Sequence, residues 1–132
     1  MVENFILQFH VPENICDGLV DYHKNNKDDK WSTKEQGRNP NQKEGIDVIC
    51  YPPSKNIILK EYKKHLGLGL KKYYNQYHVS PYHLQIVENF NIQYYPSDGG
   101  YKVWHNERDR FGFHERSLVF MTYLNDVPDG GG

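Results

Sequence analysis

An imidazole and a carboxylate are the side chains of this chain whose types and spacing could do chemistry. His105 and Glu107 stand two positions apart in the run Trp-His-Asn-Glu-Arg at 104–108. Residues two apart on an extended strand project from the same face, so these two side chains would point together. An imidazole beside a carboxylate supplies two ligands of the 2-His-1-carboxylate triad that holds non-haem Fe(II). The spacing therefore predicts two thirds of an iron site.

The motif by itself carries little weight. With seven histidines and 17 acidic residues in 132 positions, roughly one such pair is expected by chance. A surface or satisfied strand histidine is the alternative interpretation of His105. Little sequence follows Glu107 to supply a third ligand. His114 could fold back, although an exposed loop histidine is its more ordinary interpretation, since metal ligands need supporting contacts.

Hydrophobic periodicity predicts the elements that must position this pair. Ile15, Leu19 and Tyr22 recur at helical spacing after Pro12, which suits an early helical position. The predicted order is a strand at 3–10, this helix, a long polar loop at 24–45, a strand at 46–51 and a helix at 54–78. Gly67 and Gly69 weaken the second helix, where we expect a bend or a close packing contact.

From Leu84 onward the apolar period changes to two, which indicates strands. One face of the first predicted strand is apolar and consists of Leu84, Ile86, Phe90, Ile92 and Tyr94. The other face is mostly polar, as expected for a strand beside a water-filled cavity, and consists of Gln85, Val87, Asn89, Asn91, Gln93 and Tyr95. Further strands are predicted at 101–107 and 116–124. In the latter, Val119, Met121 and Tyr123 face one way and Leu118, Phe120 and Leu124 the other. Helices followed by strands predict an α+β domain with helices packed on a largely antiparallel sheet.

A series of motifs runs in order through 84–132. They are Gln-Tyr-Tyr-Pro at 93–96, Gly-Gly-Tyr at 99–101, Trp-His-Asn-Glu-Arg-Asp at 104–109, Arg at 116, Tyr-Leu-Asn at 123–125 and Gly-Gly at 130–131. Their order and spacing resemble the prolyl 4-hydroxylase-like branch of the 2-oxoglutarate- and Fe(II)-dependent oxygenases. The resemblance implies a partial double-stranded β-helix, or jelly roll. In one domain spanning 1–132, a helical support layer would occupy about 1–80 and the jelly-roll strands about 84–132.

The resemblance also implies roles for individual residues. His105 and Glu107 would be iron ligands, although the family more often has Asp at the second position, and the longer Glu would shift the metal or coordinate differently. Because Glu107 keeps its carboxylate, hydroxylation is favoured over halogenation. Tyr123 would bond the distal carboxylate of 2-oxoglutarate. Tyr95 would line the cosubstrate pocket, although a packed ring at a strand end explains it equally well. Arg116 is expected to have a structural or surface role.

The implied activity is hydroxylation of a C–H bond with oxidative decarboxylation of 2-oxoglutarate to succinate. It would use Fe(II), 2-oxoglutarate, O₂ and, as an accessory reductant, ascorbate. The family's distal His and its cosubstrate-binding Arg or Lys follow the Gly-rich turn and are not found here. We therefore expect an N-terminal portion of a longer oxygenase that binds iron weakly and does not turn over. A peptidyl proline, a free amino acid and another small molecule are all open as substrates.

Composition excludes several classes of partner. A net charge of −1 provides no bulk attraction to nucleic acid or to anionic membrane. No apolar run reaches membrane-spanning length, and the first residues lack the pattern of a signal peptide. Cys16 and Cys50 match no metal-binding spacing, so reduced thiols and a cytoplasmic location are expected.

Two other kinds of function stay open at this point. A non-catalytic jelly-roll module could hold a peptide or carbohydrate between tyrosine-rich walls, with His105 and Glu107 incidental. A structural or assembly protein could pair its open sheet edges with another chain. Its partner would be a second copy or a complementing C-terminal half.

Overall fold

The computed structural model describes residues 4–51, 54–80, 89–108 and 116–129. These ranges contain two helices and five short strands. In chain order they are α1 (Glu13–Asn25), β1 (Lys30–Ser32), β2 (Lys43–Glu44), β3 (Ile46–Cys50), α2 (Ile57–Tyr77), β4 (Phe90–Tyr94) and β5 (Gly100–Tyr101). The predicted α+β class is confirmed. No helix in the described ranges is both long and apolar enough to cross a membrane.

Both helices form where periodicity predicts them. In α1, Ile15 and Leu19 are buried and Tyr22 packs against the core. In α2, the Asn56 side chain caps the first turn by accepting hydrogen bonds from two backbone N–H groups, at 2.9 and 3.3 Å. The helix ends at Tyr77, and the next residue, His78, adopts a left-handed conformation with φ 52° and ψ 32°.

A close contact occupies the glycine-containing middle of α2. The ring of Phe9 lies where a side chain on Gly69 would have to be. Only a residue without a Cβ allows the N-terminal segment to approach the helix this closely. The predicted packing contact at these glycines is therefore confirmed for Gly69, whereas Gly67 faces open space.

The central sheet has the order β1-β3-β4 and is antiparallel throughout. Strand β3 lies in the middle because Val48 and Cys50 are almost completely buried. Val48 pairs with Ile92 of β4 in the register, which places both on the face that the helices cover. The core residues are Val11, Ile15, Cys16, Leu19, Val48, Cys50, Leu59, Tyr62, Leu66 and Ile92. Strands β2 and β5 form a separate antiparallel pair.

Several strand predictions are wrong. Described residues 4–10 form no strand, since Phe5 has a φ of 54°, which interrupts an extended chain. The polar segment 24–45 is not only loop but contains β1 and β2, which pair with β3 and with the distant β5, respectively. Within 101–107, only Tyr101 is in a strand. Whether these segments form strands therefore depends on hydrogen bonding to a partner strand and not on their own residue pattern.

The segment 116–124 is not a strand either, yet its predicted alternation is present. Val119, Met121 and Tyr123 are 65%, 74% and 70% exposed. The Thr122 hydroxyl lies 2.8 Å from the Tyr62 hydroxyl, and Leu124 packs against the core. The segment thus has an inner and an outer side, and no strand among the described residues pairs with it. The double-stranded β-helix stays a prediction, because the described strands form only the two small sheets.

Candidate metal site

His105 and Glu107 meet although no strand carries them. Residues 102–107 have no strand structure, but His105 Nε2 lies 3.3 Å from Glu107 Oε1. The two side chains are 38% and 44% exposed, so the pair is accessible from solvent. The structure therefore brings together the two candidate ligands that the sequence analysis selected.

Two contacts orient the His105 ring. The ring stacks on Tyr101, with centroids 3.7 Å apart and an interplanar angle of 20°. Its Nδ1 lies 3.3 Å from the carbonyl oxygen of Val103. A carbonyl can only accept, so we assign the ring proton to Nδ1. Nε2 can donate to Glu107 only when the ring is doubly protonated; in the neutral ring with its proton on Nδ1, Nε2 keeps the lone pair that a metal would need.

Tyr101 is held in place by the β2–β5 pair. In this ladder Lys43 lies opposite Tyr101. The ladder continues beyond the strand, because the Lys102 backbone N–H donates to the carbonyl of Gln42 at 2.7 Å. The Lys102 ammonium also lies 3.1 Å from a carboxylate oxygen of Glu44. The polar segment that the sequence indicated as loop thus supports the ring under His105.

Arg116 fixes the other oxygen of Glu107. Its Nη1 lies 3.1 Å from Glu107 Oε2 and 3.0 Å from the Glu107 carbonyl oxygen. The sequence indicated a structural or surface role for Arg116 and contained no signal for its contact with Glu107. Both residues line an open cleft of about 470 Å³, with Leu118 and Val119 on its apolar side.

Tyr95 is packed beside this region rather than on it. Its hydroxyl donates to the Gln93 side chain at 3.2 Å, and its ring lies within 3 Å of the position that a Cβ on Gly45 would occupy. Burial raises the pKa of Tyr95 to about 12, with smaller contributions from Asp47 and Tyr101. Tyr95 therefore stays protonated further into alkali than an ordinary tyrosine does.

A buried ion pair lies near Tyr95. Lys43 Nζ is 2.5 Å from Asp47 Oδ2, and the side chains are only 5% and 6% exposed. The Lys43 ammonium is 6.0 Å from the Tyr95 ring centroid. The other Asp47 oxygen, Oδ1, has no hydrogen-bond partner among the described residues. Sequence reasoning missed this pair, because both residues stand in or beside a polar stretch that indicated exposure.

The remaining predicted site residues do not contact the His105–Glu107 pair. Tyr123 is 70% exposed, on the outer side of its segment. Among the described residues, no hydrogen bond or ring contact joins Tyr95 or Tyr123 to the His105–Glu107 pair. His114 lies outside the described residues. Within those ranges, no group of three or more His, Cys, Asp or Glu side chains is arranged to hold a metal.

No protein-family model, no curated protein and no solved structure matches this chain. Any functional assignment therefore depends on the residues and their geometry.

Proposed function

We propose that this chain belongs to an Fe(II)- and 2-oxoglutarate-dependent dioxygenase of the prolyl 4-hydroxylase-like kind, in which a double-stranded β-helix carries the site. The reaction would hydroxylate a C–H bond and decarboxylate 2-oxoglutarate to succinate. The observation that carries the proposal is the convergence of His105 Nε2 and Glu107 Oε1 at 3.3 Å. These are the two residues that the motifs of 84–132 select.

The separation of the two atoms fits a shared metal ion. First-row metals bind imidazole nitrogen and carboxylate oxygen at about 2.1 Å. Two such ligands at a right angle stand about 3.0 Å apart, by the same bond lengths. The spacing between His105 and Glu107 exceeds this by a few tenths of an ångström. A small adjustment of these two partly exposed side chains would therefore bring the two atoms to that separation.

The supporting contacts fit as well. Metal-bound histidines normally donate their second ring N–H to a carbonyl or carboxylate, and His105 Nδ1 is placed to do so toward the Val103 carbonyl oxygen. Glu107 binds Arg116 through Oε2, which leaves Oε1 for the metal. An ordinary surface ion pair between imidazolium and carboxylate explains the distance alone. It does not require the stacked Tyr101 ring or the divided roles of the two carboxylate oxygens.

The residues of this chain would bind and orient, and the bound group would supply the chemistry. Fe(II) with 2-oxoglutarate and O₂ provides the oxidising power for attack on a C–H bond, with ascorbate as accessory reductant. Tyr123 would donate its exposed hydroxyl to the distal carboxylate of 2-oxoglutarate. Tyr95 would line the wall of the cosubstrate pocket. The substrate would be a peptide or a small molecule.

Metal titration tests the proposal directly. Anaerobic calorimetry with Fe(II), or with Mn(II) as an oxygen-stable substitute, measures affinity in the intact chain. His105→Ala should lower that affinity more than about 100-fold, since loss of supporting residues alone costs 10 to 100-fold. The matched control is His65→Ala on α2, which should leave affinity unchanged. Equal metal affinity of the wild-type and His105→Ala proteins would contradict the iron site and favour a non-catalytic binding module.

Turnover is a second, separate measurement. Succinate formation from 2-oxoglutarate, Fe(II) and ascorbate reports the decarboxylation half of the reaction. If His105 and Glu107 are ligands, any succinate formed must disappear in both His105→Ala and Glu107→Ala. Succinate formation that persists in these variants would assign the activity to a different site.

A further inference from the structure

A second cleft lies where the N-terminal segment crosses α2. It has a volume of about 350 Å³, which is within the range of sites that hold small molecules. Two lysines, two histidines and two apolar side chains line it, and these are Lys71, Lys72, His10, His65, Phe9 and Leu68. The cleft thus combines basic groups with an apolar wall.

Two contacts fix the N-terminal segment against α2 and so position the walls of this cleft. The Phe9 ring lies over Gly69, where only a residue without a Cβ leaves room for it. Further along the helix, the Tyr77 hydroxyl donates to the carbonyl oxygen of Ile6 at 2.7 Å. The Tyr77 ring also lies 5.1 Å from the ring of Phe5. The two sides of the cleft are therefore attached to each other at two points.

Positive charge is concentrated on α2. The helix contains five lysines and one acidic residue, Glu61, although the net charge of the whole chain is −1. Glu61 forms an ion pair with Lys64 and lies about 15 Å along the helix axis from Lys71. The only carboxylate of α2 therefore does not neutralise the two lysines of the cleft.

We propose that this cleft binds a small phosphorylated molecule that carries an apolar portion. Lysine binds phosphate as a point charge, so Lys71 and Lys72 would contact the phosphate oxygens. The two histidines would add donors, because an imidazole has an N–H group in either tautomer. Phe9 and Leu68 would pack against the apolar portion. This site is independent of whether the protein binds a metal.

An ordinary solvated surface is the alternative explanation for exposed lysines. Lys60 and Lys63 on the same helix are exposed and are not among the residues that line the cleft. General attraction of α2 for anions would depend on both pairs of lysines, because each pair contributes two charges. A specific site depends on Lys71 and Lys72.

Calorimetry on the intact chain, with phenyl phosphate as the probe, tests the site. The double variant Lys71→Ala, Lys72→Ala should bind the probe at least about tenfold more weakly, because two charge-assisted contacts are lost. The matched control, Lys60→Ala, Lys63→Ala, removes the same charge from the same helix and should leave the affinity unchanged. A wild-type protein that does not bind phenyl phosphate, or an equal loss of affinity in both double variants, would overturn the proposal.

Two further probes test the kind of ligand. Phenyl phosphate should bind about tenfold more tightly than inorganic phosphate, since burying part of its ring removes roughly 60 Å² of apolar surface from water. Leu68→Ser, at a residue that is 57% exposed, should reduce this difference and leave the affinity for inorganic phosphate unchanged. Equal affinity of the wild-type protein for the two probes would contradict the apolar wall. A short single-stranded oligonucleotide that binds more tightly than phenyl phosphate, and whose binding weakens in both double variants, would assign the charge of α2 to nucleic acid and overturn the proposal.

Discussion

The two carboxylate oxygens of Glu107 contact different groups, the imidazole of His105 and the guanidinium of Arg116. Oε1 faces His105 at 3.3 Å, and Oε2 contacts Arg116 at 3.1 Å. The imidazole is restrained by the Tyr101 ring on its face and by a carbonyl at Nδ1. At the scale of single residues, the candidate site is therefore a pair whose members each have a second contact that limits rotation.

Removing the guanidinium of Arg116 should make the Glu107 carboxylate less well ordered. In Arg116→Ala, Glu107 loses the contact that fixes Oε2, so more ordering is needed when a metal binds. We expect about tenfold weaker metal binding in calorimetry, the lower end for loss of a supporting contact. Lys64→Ala, which removes an exposed ion pair with Glu61 on α2, serves as the control. Unchanged affinity in Arg116→Ala would show that Glu107 does not depend on this contact.

At the scale of elements, the buried pair Lys43–Asp47 connects the two small sheets. Lys43 belongs to β2 and Asp47 to β3, and Lys43 lies opposite Tyr101 in β5. The pair thus ties the ladder that supports the candidate site to the central sheet. Taking two charges out of water is costly, and their attraction offsets that cost only while both are present.

Replacing one member of this pair should lower the free energy of unfolding more than replacing both members. Asp47→Ala leaves Lys43 buried without its partner, and we expect a loss of about 3–5 kcal/mol in the free energy of unfolding. The double variant Lys43→Met, Asp47→Leu should recover most of that loss, because it leaves no uncompensated charge. Urea unfolding followed by circular dichroism measures both. Removing the exposed Lys64–Glu61 pair should cost less than about 1 kcal/mol. A double variant as unstable as Asp47→Ala would contradict this account.

At the scale of the whole molecule, one core joins α1, α2 and the central sheet. Two of its buried residues, Cys50 and Tyr62, can ionise, as can Tyr95, which lies outside the core and is 37% exposed. Burial raises the pKa of the Cys50 thiol from 9.0 to about 12 and that of Tyr95 from 10.0 to about 12. It also raises the pKa of Tyr62. The folded chain therefore holds these protons more tightly than the unfolded chain does.

Stability should consequently fall in alkali. When the folded pKa exceeds the unfolded one, the stabilisation is complete below the unfolded value and is lost as pH rises through the folded value. For Cys50 and Tyr95 this window runs from about pH 9 to about pH 12. Urea unfolding between about pH 8 and pH 11 should show a declining free energy, with a shallower decline in Tyr95→Phe. A free energy that stays constant across that range would contradict the prediction.

Local periodicity predicted much of the framework. Helix α2 and strands β3 and β4 lie within their predicted ranges, and α1 extends only two residues into the predicted loop. These elements could be predicted because the order of apolar residues carries a repeat of 3.6 or of 2. The sequence also selected His105 and Glu107 as neighbours. The reason it offered was a shared strand face, whereas their proximity arises in a segment without strand structure.

Only the tertiary structure decided which distant segments meet. The strands β1, β2 and β5 are two or three residues long and have no pattern of their own, so their existence depends on partners found elsewhere in the chain. The same holds for Tyr101 under His105, Arg116 on Glu107 and the burial of Lys43 with Asp47. The sequence by itself determined the helices, the central strands and the candidate pair. Tertiary structure decided the supporting contacts, because pairing and burial are properties of neighbours in space and not of neighbours in sequence.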